Sequence, residues 1–565
     1  MPDALSSTSW RIRADKGVSP ESARAISGGK HALPSGGRTV STDAGGFADV
    51  GARFPELLEA GKTRGIAAWT ILESDRKQVI SAGTAAEWFF QLNVNGETVL
   101  DCLEAGNGSM DGPFGHIVHI PLRKGKNIVS FFIRGGNRGV YFYFLPLPEP
   151  CPSPWLKKGL TNYLFPPETA LRTRPVVFGV SHNAASVLVE LKTPALIRLK
   201  YREAGTDSRF RIRQNTLYGQ YRNEPCQSFR LTGLKPGTDY EYEVEASADS
   251  VKYDFSAGPC CFRTDDPEKT EHRLLLTADT HLSAVQLDAF FREFRNKLGN
   301  GPIDRFAHLG DMQGNYEDFS RFTDGYLTIQ QKYVDPRIPC VFVRGNHEYF
   351  GSDSAQFVGR FGRPYGSFTL GNTYFLVLDT GWDMDGTGKC TPLRADLNAL
   401  MKEERAWLLK AVRSKEWRQA KVHVVLAHAT PGPDFSESIG DCIERLIPDL
   451  FLGKKPAYGI DLWLCGHTHW ASRLDVKKQE YLVAYERNSG QNDSRPPRIK
   501  HYTPFPVVIA NGPNPYRGDC SILELVTSRD GLRLRHWLQN GDLIDDIRLG
   551  SSGVRVLRSV MKPVR

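Results

Sequence analysis

The sequence predicts a multidomain chain in which two β-sandwiches precede a C-terminal α/β domain. Three observations carry that prediction. Short alternating runs broken by turn residues fill residues 51–145 and again 165–266. Between them, Pro146, Pro148, Pro150, Pro152 and Pro154 take every second position, which neither a central strand nor a helix tolerates. From His272 onward, short apolar strands alternate with helical patterns, the rhythm of a sheet covered by helices.

Composition bounds the function classes. The 565 residues fit three or four domains at roughly 150 residues each. Apolar residues at 40% and charged residues at 24% are the mix of an ordinary globular protein. No run approaches the ~18 apolar residues of a spanning helix, so no membrane span is expected. A formal charge of +8 over this length is too dilute for a dedicated nucleic-acid binder, leaving nucleic acid as a partner only in the role of substrate. Ten cysteines are far from disulfide-scaffold density, and only Cys260 and Cys261 are close in sequence.

Residues 1–50, rich in Ser, Gly, Ala and Arg, read as an irregular segment. They hold no apolar stretch of the roughly 7–15 residues that a secretory signal needs, which leaves the compartment open.

The first sandwich, residues 51–145, is marked by Phe90, Leu92 and Val94 alternating into Asn95-Gly96. That pair suits a hairpin turn because both positions need φ > 0. Strands at Ile128–Ile133 and Val140–Phe144 follow, with Gly135-Gly136-Asn137 between them. Trp69, Trp88, Phe131 and Phe132 are read as core aromatics. The Asn95-Gly96 turn and the Gly125-Lys126-Asn127 stretch resemble galactose-binding-like jelly-roll modules, which implies a glycan as a candidate partner. The prolines then make residues 146–164 a stiff linker.

The second sandwich, residues 165–266, contains Leu231-Thr232-Gly233-Leu234-Lys235-Pro236-Gly237-Thr238-Asp239-Tyr240. The segment resembles the turn before the penultimate strand of a fibronectin type III domain. That resemblance implies that Leu packs inward, Pro-Gly turns the chain and Tyr anchors the corner.

The α/β block, residues 270–545, carries polar residues directly after its strands. Leu274–Ala278 runs into Asp279-Thr280-His281, Phe306–Leu309 into Gly310-Asp311, and Cys340–Val343 leads to Gly345-Asn346-His347-Glu348. Val422–Ala427 ends at His428, and Leu462–Cys465 at Gly466-His467-Thr468-His469. Ligands bind beyond the carboxyl ends of strands in open α/β sheets, so five such ends can share one crevice. Asp279 and His281 can grip one ion, His467 and His469 can serve two neighbouring ions, and Asp311 has two oxygens with which to bridge them. Asn346 adds an amide oxygen and His428 a nitrogen. A mixed N/O set without thiolate suits two divalent transition metals among Mn, Fe, Zn, Ni or Co. Two such ions form a clamp for displacement at phosphorus.

The ordered set D-x-H, GD, GNHE, a lone His and GHTH, from Asp279 to His469, resembles the calcineurin-like metallophosphoesterases. The resemblance implies that Asp279, His281, Asp311 and His469 hold one metal, and that Asp311, Asn346, His428 and His467 hold the other. It implies a metal-bridging hydroxide as nucleophile and His347 as a substrate-facing general acid rather than a ligand. The reaction expected is hydrolysis of a phosphate monoester on a phosphorylated small molecule. A phosphodiesterase, nucleotidase or nuclease is the alternative within the same chemistry, and a glycan- or surface-binding protein with a relic phosphatase block is the alternative outside it.

A fibronectin-like domain before the catalytic block also resembles purple acid phosphatases, and that resemblance leans towards a periplasmic or secreted protein. Two positions depart from them. The place of their tyrosinate ligand, three residues after the GD aspartate, is Gly314, with Tyr316 two residues further on, and His281 has no counterpart in their first motif. Mn(II), or a mixed Fe/Zn/Mn pair, is therefore expected over a purple Fe(III) site.

The remaining candidates for substrate contact are Asn346, Arg360, Arg363, Trp470 and Arg487, the last in a polar loop with Arg495, Arg498 and Lys500. His423 reads as a packed strand histidine and Cys465 as a buried strand cysteine, while His308 and Glu348 could orient ligands. Residues 546–565, with Arg555, Arg558, Lys562 and Arg565, read as a frayed basic tail.

Overall fold

A computed structural model describes residues 9–29, 38–104, 106, 116–135, 139–147, 171–247, 253, 255–298, 301–314, 316–381, 395–432, 437–484, 499–512, 520–550 and 553–563. Most of the expected linker, from residue 148, lies outside them, and the strand Tyr141–Pro146 ends on the linker's first proline.

The N-terminal region is two antiparallel sheets packed face to face. Six strands form one, in the order Arg38–Ser41, Ser9–Arg13, Ile66–Ser74, Gly125–Arg134, Phe89–Val94 and Glu97–Asp101. Phe47–Asp49, Tyr141–Pro146, Gln78–Ala86 and His116–Leu122 form the other. The expectation of an irregular segment over residues 1–50 is corrected here. Trp10 and Ile12 alternate in Ser9–Arg13 and enter the core, where the Trp10 ring lies 5.4, 5.0 and 5.2 Å from those of Phe131, Phe142 and Phe144. A helix, Pro20–Ser27, starts on a reciprocal Ser19–Ser22 cap and lays Ala23 and Ile26 against Ala67, Trp69 and Phe132. The strand and the helix are too short for composition to reveal, and tertiary burial supplies what local propensity lacks. Trp69, Phe131 and Phe132 are buried as expected, but Trp88 is 50% exposed, with φ of 64°. It sits at the entry to the strand Phe89–Val94, outside the alternation that buries Phe90 and Leu92.

In the middle region a single long strand, Ala184–Glu203, serves two layers. Its first half pairs with Val176–Phe178 and Asn223–Thr232, and its second half with Arg211–Gln214 and Asp239–Ser247. The pairing with Asn223–Thr232 shifts register between Glu190 and Ala195. Val187, Val189, Phe229, Leu199, Tyr242 and Phe262 fill the space between the layers. At the corner the Lys235 amide donates to the Tyr240 hydroxyl at 2.9 Å, and Gly237 turns at φ of 56°. This region joins the next edge to edge, where Phe178 pairs in parallel with Cys340.

The C-terminal region contains two sheets facing each other with helices outside, where the sequence suggested a single covered sheet. One sheet runs through Cys340–Phe342, Arg305–His308 and His272–Thr277, then Ser521–Ser528, Gly531–Leu538, Leu543–Gly550 and Gly553–Ser559. The other holds Thr373–Val377, Val422–Leu426, Leu462–Cys465 and Val507–Ile509 in parallel. Alternation shows why four layers form. Leu274, Leu276, Val424, Leu426, Leu462 and Leu464 meet between the sheets. Leu275 faces Phe290 and Phe291 of the helix Ala284–Leu298 on one outer side, while Val425 and Trp463 face Leu408 of the helix Leu397–Ala411 on the other. Strands buried on both faces read as continuous apolar runs, which hides the second sheet from a period-two reading.

The basic tail is also corrected. Residues 546–550 finish the strand Leu543–Gly550, and Gly553–Ser559 pairs with it as the sheet's edge. Arg555 and Arg558 lie on this edge strand beside Val554, Val556 and Leu557, which stay exposed.

A candidate metal centre between the two sheets

The polar residues that follow the strands converge because the two sheets present their carboxyl ends side by side. The ladder continues into the loops. The Asp279 amide bonds to Gly310 O at 3.0 Å, and the Gly466 amide to His428 O at 2.9 Å, each joining neighbouring loops of one sheet, while the His467 amide donates to Asp279 Oδ2 at 2.9 Å from one sheet to the other. Asp279, Asp311, His467 and His469 all have positive φ, of 50°, 58°, 69° and 56°. Each such turn costs free energy for a residue with a Cβ, and four together point to a site held against local preference. Gly466 makes the closest approach: a Cβ there would lie 2.1 Å from Asp279 Oδ2.

Asp279, His281 and His469 bring ligand atoms within 4.8 Å of one another, and so do Asp311, His428 and His467. His469 Nε2 is 3.3 Å from Asp279 Oδ1. Asp311 Oδ2 is 3.1 Å from His428 Nε2 and 3.5 Å from His281 Nε2, which places this carboxylate between the two groups. Asn346 Oδ1 faces His428 Nε2 at 2.9 Å and His467 Nδ1 at 2.8 Å. His467 and His469, two residues apart, turn to different groups. A third overlapping group, His281, Asp311 and His347, includes the histidine expected to be a non-ligand. His347 Nε2 lies 3.9 Å from Asp311 Oδ2, and its ring centroid 4.4 Å from that of His281.

The orientation of each ring is set from behind. His428 Nδ1 donates to Leu309 O at 2.8 Å, which turns Nε2 inward. His347 Nδ1 donates to Gly314 O at 2.7 Å, and the His347 amide to Asp311 Oδ1 at 2.9 Å. The buried Glu348 carboxylate accepts the amides of Asp311 (2.8 Å), Met312 (2.9 Å) and Gly345 (2.7 Å), and the Tyr316 hydroxyl (2.8 Å). It therefore ties the Asp311 loop to the Asn346 loop. His308 is buried with Nε2 3.0 Å from Thr280 Oγ1, and Thr280 also donates to Met312 O.

The electrostatics ask for positive charge. Asp279 and Asp311 are buried, which alone would raise both. The neighbouring His469 lowers Asp279, and His428 and His281 hold Asp311 well below the usual carboxylate range. Burial alone would lower His428, but Asp311 outweighs it and holds the imidazolium at about 10. Burial, with His428 beside it, pushes His467 down to about 3. Two buried carboxylates ringed by imidazoles, with two imidazole nitrogens aimed at one amide oxygen, form overlapping clusters capable of coordinating metal ions, and the residues fit a dimetal site.

The other expected contacts are placed elsewhere. Arg360 approaches Glu190 of the middle region at 3.4 Å and lies 4.1 Å over Phe319, so its guanidinium is engaged at a domain boundary. Arg363 stacks on Tyr365 and Trp407 and donates to Tyr365 O. Trp470 is buried and offers no open stacking face. Arg487 lies outside the described residues. Tyr316 is buried on Glu348, so its hydroxyl is not among the metal donors. His423 packs on the Trp417 ring with Nε2 3.0 Å from Trp417 O.

Sequence reasoning missed a buried network beside the centre: Arg344, Tyr349, Asp379 and Glu404. Its signal was present, because Asp379-Thr380 follows the strand Thr373–Val377 as Asp279 follows His272–Thr277.

Residues 272–471 match the family model for calcineurin-like phosphoesterases, so the chain carries a domain of that kind. No curated protein matches the chain in sequence. Among solved structures, PhoD is 13% identical over 68% of this chain and 91% of its own, with a TM-score of 0.42. Purple acid phosphatase PPD1 from yellow lupin (Lupinus luteus) seeds is 13% identical over 86% and 92%, with a TM-score of 0.45. GAP50 of Plasmodium is 12% identical over 52% and 90%, with a TM-score of 0.32.

Proposed function

We propose that this protein is a dimetal-dependent phosphoric monoester hydrolase. The observation that supports the reading most is Asp311, a buried carboxylate flanked by His428 and His281, with Asp279 and His469 on one side and Asn346 and His467 on the other. In this reading Asp279, His281, Asp311 and His469 hold one ion, and Asp311, Asn346, His428 and His467 the other. Such a pair, when bound, polarises a phosphoryl oxygen and activates water.

The chain's own residues supply orientation and a proton. His347 is one of the partly exposed imidazoles of the cluster, its side chain 31% exposed against 26% for His469 and 17% for His281, with Nδ1 committed to Gly314 O. Its Nε2 is therefore the position from which a proton can pass to a departing alkoxide. Asn346 holds its amide oxygen towards His428 and His467 and leaves its NH2 for a substrate oxygen. Gly314 and the buried Tyr316 favour a pair without tyrosinate, such as Mn(II) or mixed Fe/Zn/Mn. The Tyr240 corner supports assigning residues 165–266 to a fibronectin III-like domain.

Metal-stripped protein, given Mn, Fe, Zn, Ni or Co in turn, should regain hydrolysis of a chromogenic phosphate monoester. A diester turned over faster than the monoester with every metal would replace this reading with a phosphodiesterase.

A further inference from the structure

We infer that Asp379 is a positioning residue for the second metal, the one assigned to Asp311, Asn346, His428 and His467. The inference rests on the dimetal reading above and concerns a residue outside its ligand set. Asp379 is fully buried just beyond the end of the strand Thr373–Val377. Its Oδ2 accepts from Arg344 Nε at 2.6 Å and forms an ion pair with Arg344 Nη2, also at 2.6 Å. The Tyr349 hydroxyl reaches both of its oxygens at 3.0 Å. Arg344 and Tyr349 flank the loop Gly345-Asn346-His347-Glu348, so one carboxylate clamps both shoulders of the loop that presents Asn346 and His347. The clamp closes on itself, since the Arg344 guanidinium lies 4.1 Å over the Tyr349 ring.

The next residue reaches the other side of the same metal position. The Ala429 amide donates to Thr380 Oγ1 at 3.2 Å, directly after His428. Asp379-Thr380 thus bridges the two loops whose side chains meet where Asn346 Oδ1 faces His428 Nε2 at 2.9 Å. The bridge is anchored in turn: the Asp379 amide donates to Glu404 Oε1 at 2.9 Å, from the helix Leu397–Ala411, and the Gly381 amide to Asp379 Oδ1 at 2.9 Å. Among the described residues Asp279 bonds to His467 and sits beside His469, and His281 sits beside Asp311, on the side of the site away from this bridge. A metal site tolerates little ligand displacement, so loosening the bridge should weaken one ion and spare the other.

The test uses the full chain, stripped of metal and titrated with Mn(II) alone, with metal content read by equilibrium dialysis. Wild type should take two ions per chain. Asp379→Asn should take the first with unchanged affinity and the second at least tenfold more weakly, with occupancy restored by excess Mn(II). Tyr349→Phe, which keeps the ring under Arg344, and Thr380→Val should shift the second ion in the same direction if Asp379→Asn does not fold. Melting of the metal-free variants separates positioning from general destabilisation. Folded variants that bind both ions like wild type, or that lose both together, would overturn the inference alone. A wild type that binds no second ion would overturn the dimetal reading and this inference with it.

Discussion

Replacing Glu348 by Gln keeps the shape of the side chain and changes what it can accept. In the native protein Oε2 takes the Asp311 and Gly345 amides, and Oε1 takes the Met312 amide and the Tyr316 hydroxyl. A glutamine must turn its NH2 towards one of these pairs. The less costly orientation keeps oxygen at Oε2, lets the Tyr316 hydroxyl rotate to accept, and leaves the Met312 amide facing another donor. Losing one charge-assisted bond costs about 1.5–3 kcal/mol, and stranding a buried donor adds about 1–3 kcal/mol. Removing the repulsion between Glu348 and Asp311, which with burial raises Glu348, offsets some of that loss. A net loss of about 3 kcal/mol is expected in the unfolding transition of the metal-free α/β domain, read by urea denaturation at pH 7. Tyr316→Phe, which removes one donor and leaves all three amides satisfied, should cost about 1–2 kcal/mol. If Glu348→Gln lies within about 0.5 kcal/mol of wild type, the carboxylate does not organise these loops and the reasoning fails.

Other consequences can be measured separately. His347→Asn should slow cleavage of a diester with a poor leaving group by about 10²–10⁴-fold while sparing an activated monoester, and equal losses on both substrates would remove the general-acid role. Trp10→Ala should cost the N-terminal sandwich about 3–5 kcal/mol, because its ring fills the space among Phe131, Phe142 and Phe144; calorimetry of the sandwich transition decides. Burial holds His536 down at about 3, whereas the unfolded chain takes up that proton below about 6.5. Its contribution is therefore complete above that pH and declines as the pH falls towards 3. Between pH 7 and pH 5, wild type should lose about 2 kcal/mol more than His536→Leu, and parallel pH profiles would show that His536 is not held neutral.

The site was more legible than the fold around it. Asp279, Asp311, His428 and His467 could be read because their positions directly after apolar runs put chemistry where strands end, and those runs match strands to within a residue or two. The second sheet was hidden because Leu274 and Leu275, or Val424 and Val425, are both buried, on opposite faces, so no alternation marks the partner layer. The terminal meander did carry signals. Asp530-Gly531 and Asn540-Gly541 are turn-favouring pairs at the two hairpin connections, where Gly531 and Gly541 have positive φ. Trp88 was misplaced because aromatic content says nothing of direction, and a positive φ at the strand entry takes it out of the core pattern. Arg360 was misplaced for a similar reason: charge alone suggested a phosphate, whereas Glu190, 170 residues away, takes the guanidinium.

In the proposed function two ions sit on either side of Asp311. Metal content per chain after reconstitution, measured on wild type and on Asp311→Asn alongside monoester turnover, tests it most directly. Two transition-metal ions per wild-type chain are expected, with hydrolysis that requires them, and a folded Asp311→Asn should lose at least one ion and nearly all turnover. Fewer than one ion per wild-type chain, or an Asp311→Asn variant with wild-type metal content and rate, would contradict it.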